Sequence, residues 1–255
     1  MFSWRTIAAL IFGMVSVTET WAGPPFLTDD PEIPPPNNWE INVPFTLDRT
    51  KAETDMETPL FDINYGTPAV FGLGRVQLEL DIPVEVVSKA DAATTAGLGD
   101  ILVGVKWPFC EERGWRPMMA IYPQVLTPTG ERSRGLGAGR AAYILPVLAE
   151  KNWDKWQVYG NVGYVVQTAA GDHNYWYEGV CLNREITKRL ELGGEITENS
   201  LPPADGYSNL LFNLGGTWTM TEHFNLLFTA GRSIHGDTQF MAYLGIQMLL
   251  GGTNK

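Results

Sequence analysis

The residues with the clearest chemical potential are acidic ones at alternate positions of one segment. Over Val76–Val86, Glu79, Asp81 and Glu85 alternate with branched aliphatic residues. Successive side chains of a β-strand point to opposite faces, so one face of this segment is aliphatic and the other is acidic. A soluble sandwich would expose the acids to solvent, whereas a membrane barrel would place the aliphatic residues in lipid and the acids in a wet lumen.

Residues that carry out catalysis are sparse elsewhere in the chain. Ser233 and His235 lie close together in a loop, but no evident acidic partner would orient the histidine. His173 and His223 lack the spacing of metal ligands, and Gly135–Gly139 lacks the Lys-Ser or Lys-Thr of a phosphate-binding loop. We expect no enzyme, no catalytic residues, no metal and no cofactor, and a hydrolase built on Ser233 is the weakest alternative.

The first 22 residues have the pattern of a cleaved signal peptide. Arg5 supplies a positive start, residues 7–17 are apolar, and Thr20-Trp21-Ala22 offers small residues where a signal peptidase cuts. The apolar run is shorter than the roughly 20 residues that a membrane-spanning helix needs, and no later segment reaches that length. If the exported chain enters a membrane, it must therefore do so as a closed barrel.

Composition agrees with a barrel. The net charge of −11 argues against nucleic acid as a partner. The chain has 27 Gly for turns, and 9 Trp, 9 Tyr and 11 Phe that could form aromatic girdles. The mean hydropathy is −0.09, as expected when apolar and polar positions alternate.

Alternation along the whole chain predicts an all-β fold, an antiparallel transmembrane β-barrel of about 12 strands of the outer-membrane type. The predicted domains are the signal peptide at 1–22, a Pro-rich acidic segment at 23–37 and the barrel at 38–255. The predicted strands are Trp39–Asp48, Leu60–Tyr65, Val76–Val86, Asp100–Phe109, Trp115–Val125, Ala142–Leu148, Lys155–Gln167, Tyr175–Asn183, Leu190–Thr197, Asn209–Trp218, Phe224–Arg232 and Gln239–Met248.

The connections provide an independent test of this interpretation. With the N-terminus on the periplasmic side, the odd connections are long and rich in Gly, Asp, Pro and Thr, and most even connections are short. Aromatic residues then fall at the periplasmic interface, where amphipathic rings are favoured. They are Trp39, Tyr65, Trp107, Phe109, Trp115, Trp153, Trp156, Trp218 and Phe224.

Two motifs resemble a known family. The segment Gly23-Pro24-Pro25-Phe26-Leu27-Thr28-Asp29-Asp30-Pro31-Glu32, and Gly97-Leu98-Gly99-Asp100 leading into Val103-Gly104-Val105-Lys106, are similar to the MetA-pathway of phenol degradation family. The resemblance implies a Gram-negative outer-membrane barrel that passively takes up small hydrophobic or aromatic compounds. A structural or sensory barrel with a filled lumen remains the alternative.

Several charged residues are predicted to face the lumen. They either form a salt-bridged network that stiffens the barrel or bias passage toward neutral and cationic solutes. The lumen and selectivity candidates are Asp62, Glu79, Asp81, Glu85, Asp100, Lys106, Arg116, Lys155, Glu191 and Glu195.

The segment at 23–37 is either a stiff periplasmic lead-in or a plug that folds into the lumen. If it is a plug, Asp29, Asp30 and Glu32 are the candidates to meet basic residues inside the barrel. Cys110 and Cys181 lie on strands that are not neighbours, so we expect two free thiols.

The expected partners are outer-membrane lipids, small hydrophobic or aromatic solutes and the barrel-assembly machinery. Many outer-membrane barrels end on an aromatic residue, whereas this chain ends in Leu249-Leu250-Gly251-Gly252-Thr253-Asn254-Lys255. This departure concerns the assembly signal, because the alternation of the last strand is intact.

Overall fold

The computed structural model describes residues 25–50, 53–70, 72–89, 93–168, 173–200 and 209–251. The predicted signal peptide lies outside the described residues. Within the described ranges, no helix is long and apolar enough to cross a membrane. Helical structure there is a single 3-10 turn over Arg132–Arg134, in the loop before β8.

Fourteen strand segments, β1 to β14, form one sheet that corresponds to a barrel of twelve strands. β4 and β5 are two parts of one barrel strand, interrupted at Gly99 and Asp100, and β6 and β7 are two parts of the next, interrupted at Tyr122 and Pro123. In chain order the strands are Trp39–Arg49, Glu53–Gly66, Gln77–Lys89, Thr95–Leu98, Ile101–Cys110, Met118–Ile121, Gln124–Thr127, Ala142–Trp153, Trp156–Gln167, Tyr175–Thr187, Leu190–Ser200, Asn209–Thr219, Phe224–His235 and Phe240–Leu250.

The first and last strands close the sheet into a barrel. β1 pairs with β14 in an antiparallel register that runs from Trp39 opposite Leu250 to Arg49 opposite Phe240. All other strand pairs are antiparallel too, and most join neighbours in the chain. The prediction of a closed antiparallel barrel of about twelve strands is confirmed.

Alternation decides which residues face the interior. On β1, Glu40 and Asn42 are buried inside the barrel, while Trp39, Ile41 and Val43 face outward. The other strands repeat this arrangement, so the outer surface is apolar and the interior is polar. In a membrane, this arrangement exposes mainly apolar side chains to lipid and satisfies the backbone within the ladder.

Several strands differ from their predicted limits, and β4 was not predicted as a strand. For two of the strands the physical reason is clear. β2 begins at Glu53 rather than Leu60, so the expected long loop after β1 spans only residues 50–52. Thr54 and Thr58 occupy its outward positions, and these polar residues hid the alternation. β6 begins at Met118 because the preceding residues form a tight turn, and Trp115 at its tip is 91% exposed.

Aromatic side chains surround the end of the barrel that carries the short turns. Trp39, Trp153, Trp218 and Phe224 are exposed there, and the rings of Trp39 and Tyr65 lie 4.5 Å apart. This end is the periplasmic one if the long loops face outward. Cys110 on β5 and Cys181 on β10 are both free.

Candidate functional site

Residues 25–38, which precede β1, pass through the interior of the barrel. At the periplasmic rim, Asn37 N donates to Gly66 O at 2.7 Å, which fixes where this segment enters. From there the chain runs up the interior, and Pro34, Pro31 and Phe26 are all buried. Phe26 packs against Tyr159 and Cys181 on the wall. We call residues 25–38 the inner segment.

The carboxylate of Glu195 holds the upper part of the inner segment. Oε1 accepts hydrogen bonds from Leu27 N at 2.9 Å and Asn213 Nδ2 at 2.6 Å. Oε2 accepts from Thr28 N at 2.8 Å and Thr28 Oγ1 at 2.7 Å. Glu195 is only 1% exposed, so four donors replace the water that this charge would otherwise bind.

A glycine makes room for this contact. A Cβ atom at Gly179 would lie 2.4 Å from Thr28 Oγ1, closer than atoms can pack. The small residue at this inward position of β10 therefore allows the inner segment to approach the wall.

Lys106 forms the second attachment of the inner segment. Its ammonium lies 3.7 Å from Asp29 Oδ1 and 4.7 Å from the centre of the Tyr122 ring. Asp29 N also donates to Asn161 Oδ1 at 3.2 Å. Among the buried side chains of the described residues, Lys106 is the only Lys or Arg. One buried cation thus faces a largely acidic interior.

Asp30 lies beside this pair and is almost completely buried. Burial raises the pKa of the Asp30 carboxyl well above its ordinary value of 3.8, and the charge of Lys106 only partly offsets this rise. The nearby acids Glu150 and Asp29 raise the pKa further. Protonation of Asp30 therefore favours the position of the inner segment inside the barrel.

An acidic wall faces the inner segment from β2 and β3. The carboxylate oxygens of Asp62, Glu79 and Asp81 lie within 4.8 Å of one another. Tyr122 Oη donates to Glu79, and Asn42 Nδ2 donates to Asp62 Oδ2 at 2.9 Å. Of the described residues, these three acids form the one group that brings enough oxygen ligands together for a hard cation such as Ca²⁺.

A cavity of about 650 Å³ lies between the inner segment and the extracellular loops. We call it the outer cavity. Pro25, Phe26 and Leu27 of the inner segment form part of its lining, and none of the lining residues that the structure describes is Lys or Arg. Its acids are Asp48, Asp55, Glu57, Glu85 and Asp100, and its larger apolar residues include Val87, Leu126, Leu136, Leu211 and Met241.

The structure separates the predicted lumen residues into groups. Asp62, Glu79, Asp81, Lys106 and Glu195 surround the inner segment.

Two further predicted residues, Glu85 and Asp100, line the outer cavity. Asp100 also holds a loop, because its carboxylate accepts from Gly130 N at 2.8 Å and Ala138 N at 2.7 Å. Glu191, half-buried on β11, accepts from Asn183 Nδ2 at 2.9 Å.

Contrary to the expectation from sequence, Arg116 and Lys155 do not face the lumen. Arg116 is exposed in the turn between β5 and β6, and Lys155 is exposed in the turn between β8 and β9, near Glu185. Both were assigned to strand ends, where limits drawn from alternation are least reliable.

The proposed plug residues also have distinct positions. Asp29 and Asp30 lie in the interior, and Glu32 N donates to Asp30 Oδ1 at 2.8 Å. Thr28, Asn161 and Asn213 contribute to the attachments but were not predicted as site residues. Asn161 and Asn213 occupy inward positions of alternating strands, which was the available signal for them.

The residues considered for catalysis either form hydrogen bonds within the fold or are exposed. Ser233 is buried, and its hydroxyl donates to Thr238 O at 2.6 Å. Ser233 and His235 lie at the end of β13 rather than in the expected loop, and His235 is exposed. His173 is exposed in a loop, and His223 Nδ1 lies 3.2 Å from Leu249 O.

A closed barrel with an apolar outer surface and a polar interior defines an outer-membrane β-barrel protein. Solved structures with similar folds support this class. An outer membrane channel from Pseudomonas putida F1 is 14% identical, with a TM-score of 0.76 over 87% of this chain and 98% of that chain. The NanC porin is 8% identical, with a TM-score of 0.54 over 84% and 100% of the two chains. The translocator domain of the autotransporter NalP from Neisseria meningitidis is 11% identical, with a TM-score of 0.52 over 84% and 88%.

The protein belongs to the family described as "Putative MetA-pathway of phenol degradation", whose sequence model matches residues 26–245. No curated protein sequence matches the chain significantly. The protein is located in the outer membrane, as the fold and the family indicate.

Proposed function

We propose that this protein is a passive channel for the uptake of small hydrophobic or aromatic compounds, without a catalytic step. The outer cavity is the observation that carries the proposal. Its described lining residues combine apolar side chains with five carboxylates and include no basic residue. Such a lining favours neutral or cationic solutes with an apolar body and disfavours carboxylates.

The inner segment acts as a plug below this cavity. It passes through the interior from the periplasmic rim to the cavity and is attached at Glu195 and Lys106. A solute that leaves the cavity along the barrel axis must displace this segment. The family description and the similar outer membrane channel support transport as the role of the barrel.

Single-channel conductance of the refolded mature protein in a planar bilayer tests both statements. We expect a low basal conductance, a larger one after deletion of residues 23–36, and block by small aromatic compounds but not by sugars. Equal conductance of the two proteins would contradict the plug. Conductance that aromatic compounds leave unchanged would contradict the solute class.

A structural or sensory barrel with a filled lumen is the second candidate. The four hydrogen bonds to Glu195 favour it, because a saturated buried carboxylate resists displacement of its partners. Under this alternative, both the complete protein and the shortened one are silent although inserted.

A further inference from the structure

Three carboxylates from two neighbouring strands converge inside the barrel. Asp62 on β2 is paired with Asp81 on β3, and Glu79 lies two residues before Asp81 on the same inward face. One oxygen of each side chain lies within 4.8 Å of the other two. Two ligands on opposite sides of a Ca²⁺ ion, each at about 2.4 Å, are about 4.8 Å apart. The three oxygens can therefore contact a single ion.

Hydrogen bonds from the wall orient these carboxylates without saturating them. Asn64 Nδ2 donates to Asp62 Oδ1 at 2.5 Å, and Tyr122 Oη donates to Glu79 Oε2. Asp81 Oδ1 is buried and accepts no hydrogen bond from any amide, hydroxyl or amino group that the structure describes. Carboxylates that bind a metal are commonly held by such outer hydrogen bonds, which leave other lone pairs for the ion.

A buried amide oxygen adds a fourth possible ligand. Asn42 on β1 is 0% exposed and is paired with Asp62. Asn42 Nδ2 donates to Asp62 Oδ2 at 2.9 Å and to Glu40 Oε1 at 3.1 Å, which fixes the amide beside the carboxylates. Asn42 Oδ1 has no hydrogen-bond partner within the described part of the chain. Burial of an amide oxygen without a donor is unfavourable, and a cation satisfies it.

The charges at this place favour a divalent ion. Asp62, Glu79 and Asp81 carry three negative charges when ionised, and Lys106 is close enough to interact with Glu79. A divalent cation together with Lys106 balances these charges. Ca²⁺ takes carboxylate and amide oxygens in a flexible geometry, whereas Mg²⁺ requires a nearly regular octahedron at about 2.1 Å. The ligands come from strands that are only brought together by folding, which favours the more tolerant ion.

We propose that Asp62, Glu79, Asp81 and Asn42 Oδ1 bind one Ca²⁺ ion, which joins β1, β2 and β3 inside the barrel. No spacing along the sequence predicts this site, because its ligands belong to three strands that meet through their register. Binding of Ca²⁺ requires no solute, so the site goes beyond the proposed function.

The bound ion also acts on the inner segment. Asp29 is close enough to Asp62 and Glu79 for their charges to interact. A cation among these acids removes their repulsion of Asp29 and so favours the ion pair of Asp29 with Lys106. External Ca²⁺ therefore stabilises the inner segment inside the barrel.

Calcium binding to the refolded mature protein in detergent tests the site. Isothermal titration calorimetry measures binding to protein freed of metal by EGTA and then dialysed. Thermal unfolding compares Tm in Ca²⁺ and in EGTA. Asp81→Asn removes one ligand charge and keeps the size of the side chain. Glu191→Gln is the matched control, because Glu191 is a half-buried carboxylate on β11, outside the group of three acids.

We expect one Ca²⁺ ion per wild-type chain. The affinity should fall about tenfold or more in Asp81→Asn, because the number of charged ligands sets the affinity, and should not change in Glu191→Gln. Ca²⁺ should raise the Tm of the wild type but not that of Asp81→Asn, since a ligand of the folded state stabilises it. In EGTA the order should reverse, with Asp81→Asn the more stable protein, because like charges on paired strands repel.

Planar-bilayer recordings test the effect on the inner segment. We expect the open fraction of the wild type to be several-fold lower in Ca²⁺ than in EGTA. The open fraction of Asp81→Asn should not respond to Ca²⁺. An equal response of the two proteins would overturn the action of this site on the inner segment.

Two results would overturn the site itself. In one, the wild type binds no Ca²⁺ and its Tm does not respond, so that a shared proton rather than a metal ion holds the carboxylates together. In the other, Asp81→Asn binds Ca²⁺ as tightly as the wild type, which places the ion elsewhere. Neither result bears on the proposed function, which the block by aromatic compounds tests separately.

Discussion

The ammonium of Lys106 and the carboxylate of Asp29 lie 3.7 Å apart inside the barrel. One residue belongs to the wall and the other to the inner segment, so this ion pair joins two parts of the chain that are distant in sequence. Its surroundings are otherwise acidic, with Asp30, Glu40 and Glu79 close enough to interact with Lys106. This attachment of the inner segment therefore depends on a single positive charge.

Replacement of Lys106 by Met should loosen the inner segment. Removing the cation leaves the carboxylate of Asp29 without its ion-pair partner in an otherwise acidic interior, which is destabilising. We expect a several-fold increase in the open fraction in planar-bilayer recordings. Lys155→Met is the matched control, because Lys155 lies exposed in a turn and its loss should leave the recordings unchanged. A closed Lys106→Met channel would show that the pair does not hold the segment.

Glu195→Gln should weaken the second attachment. Glutamine keeps the size of the side chain, but its amide places a donor where Leu27 N or Thr28 N donates now. Each hydrogen bond to a charged group contributes about 1.5–3 kcal/mol, so the loss should be measurable. We expect faster proteolysis of residues 25–38 from the periplasmic side. Glu222→Gln in an exposed turn provides the control, and equal proteolysis rates would contradict the attachment.

Opening should depend on pH through Asp30. The pKa of Asp30 is raised while the inner segment lies inside the barrel, so protonation of Asp30 stabilises that position. This stabilisation is complete below about pH 3.8 and is lost as the pH rises toward the raised pKa. We expect the open fraction of the wild-type channel to increase with pH. The increase should be smaller in Asp30→Asn, which is neutral at every pH. Identical pH profiles of the two proteins would exclude Asp30 as the titrating group.

The acids of the outer cavity should select cationic solutes. Glu57 and Glu85 lie opposite one another on β2 and β3 and both line the cavity. Replacing either residue by Gln should weaken block by N-methylquinolinium, an aromatic cation. The blocking constant should change by about fivefold if each charge contributes about 1 kcal/mol at a partly exposed site. Block by 1-methylnaphthalene, a neutral aromatic compound of similar shape, should not change. Concentration dependence of the block measures both constants, and an equal loss for both compounds would indicate a change of cavity shape instead.

Alternation alone accounts for much of the fold. It placed β1 and β3 within a few residues and assigned the inward acids Asp62 and Glu79, because a period of two is imposed by the strand itself. It failed at the start of β2 and at Trp115. At these places polar outward residues or a tight turn interrupt the pattern.

The attachments of the inner segment follow from no local pattern. Thr28 and Glu195 are 167 residues apart, and their contact exists only because the barrel brings β11 to the place where the segment passes. Composition showed that residues 23–37 were acidic and Pro-rich, and left open a lead-in or a plug. The contact partner of each of its side chains could be identified only from the strand register of the folded barrel.

The seam between β1 and β14 has a consequence for assembly. The barrel cannot close until the last strand reaches the first, and the inner segment is continuous with that first strand. The segment can therefore be in place while the ring is still open, and it need not thread through a finished pore. Closure of the seam around a segment already in place would complete the ring with its lumen occupied.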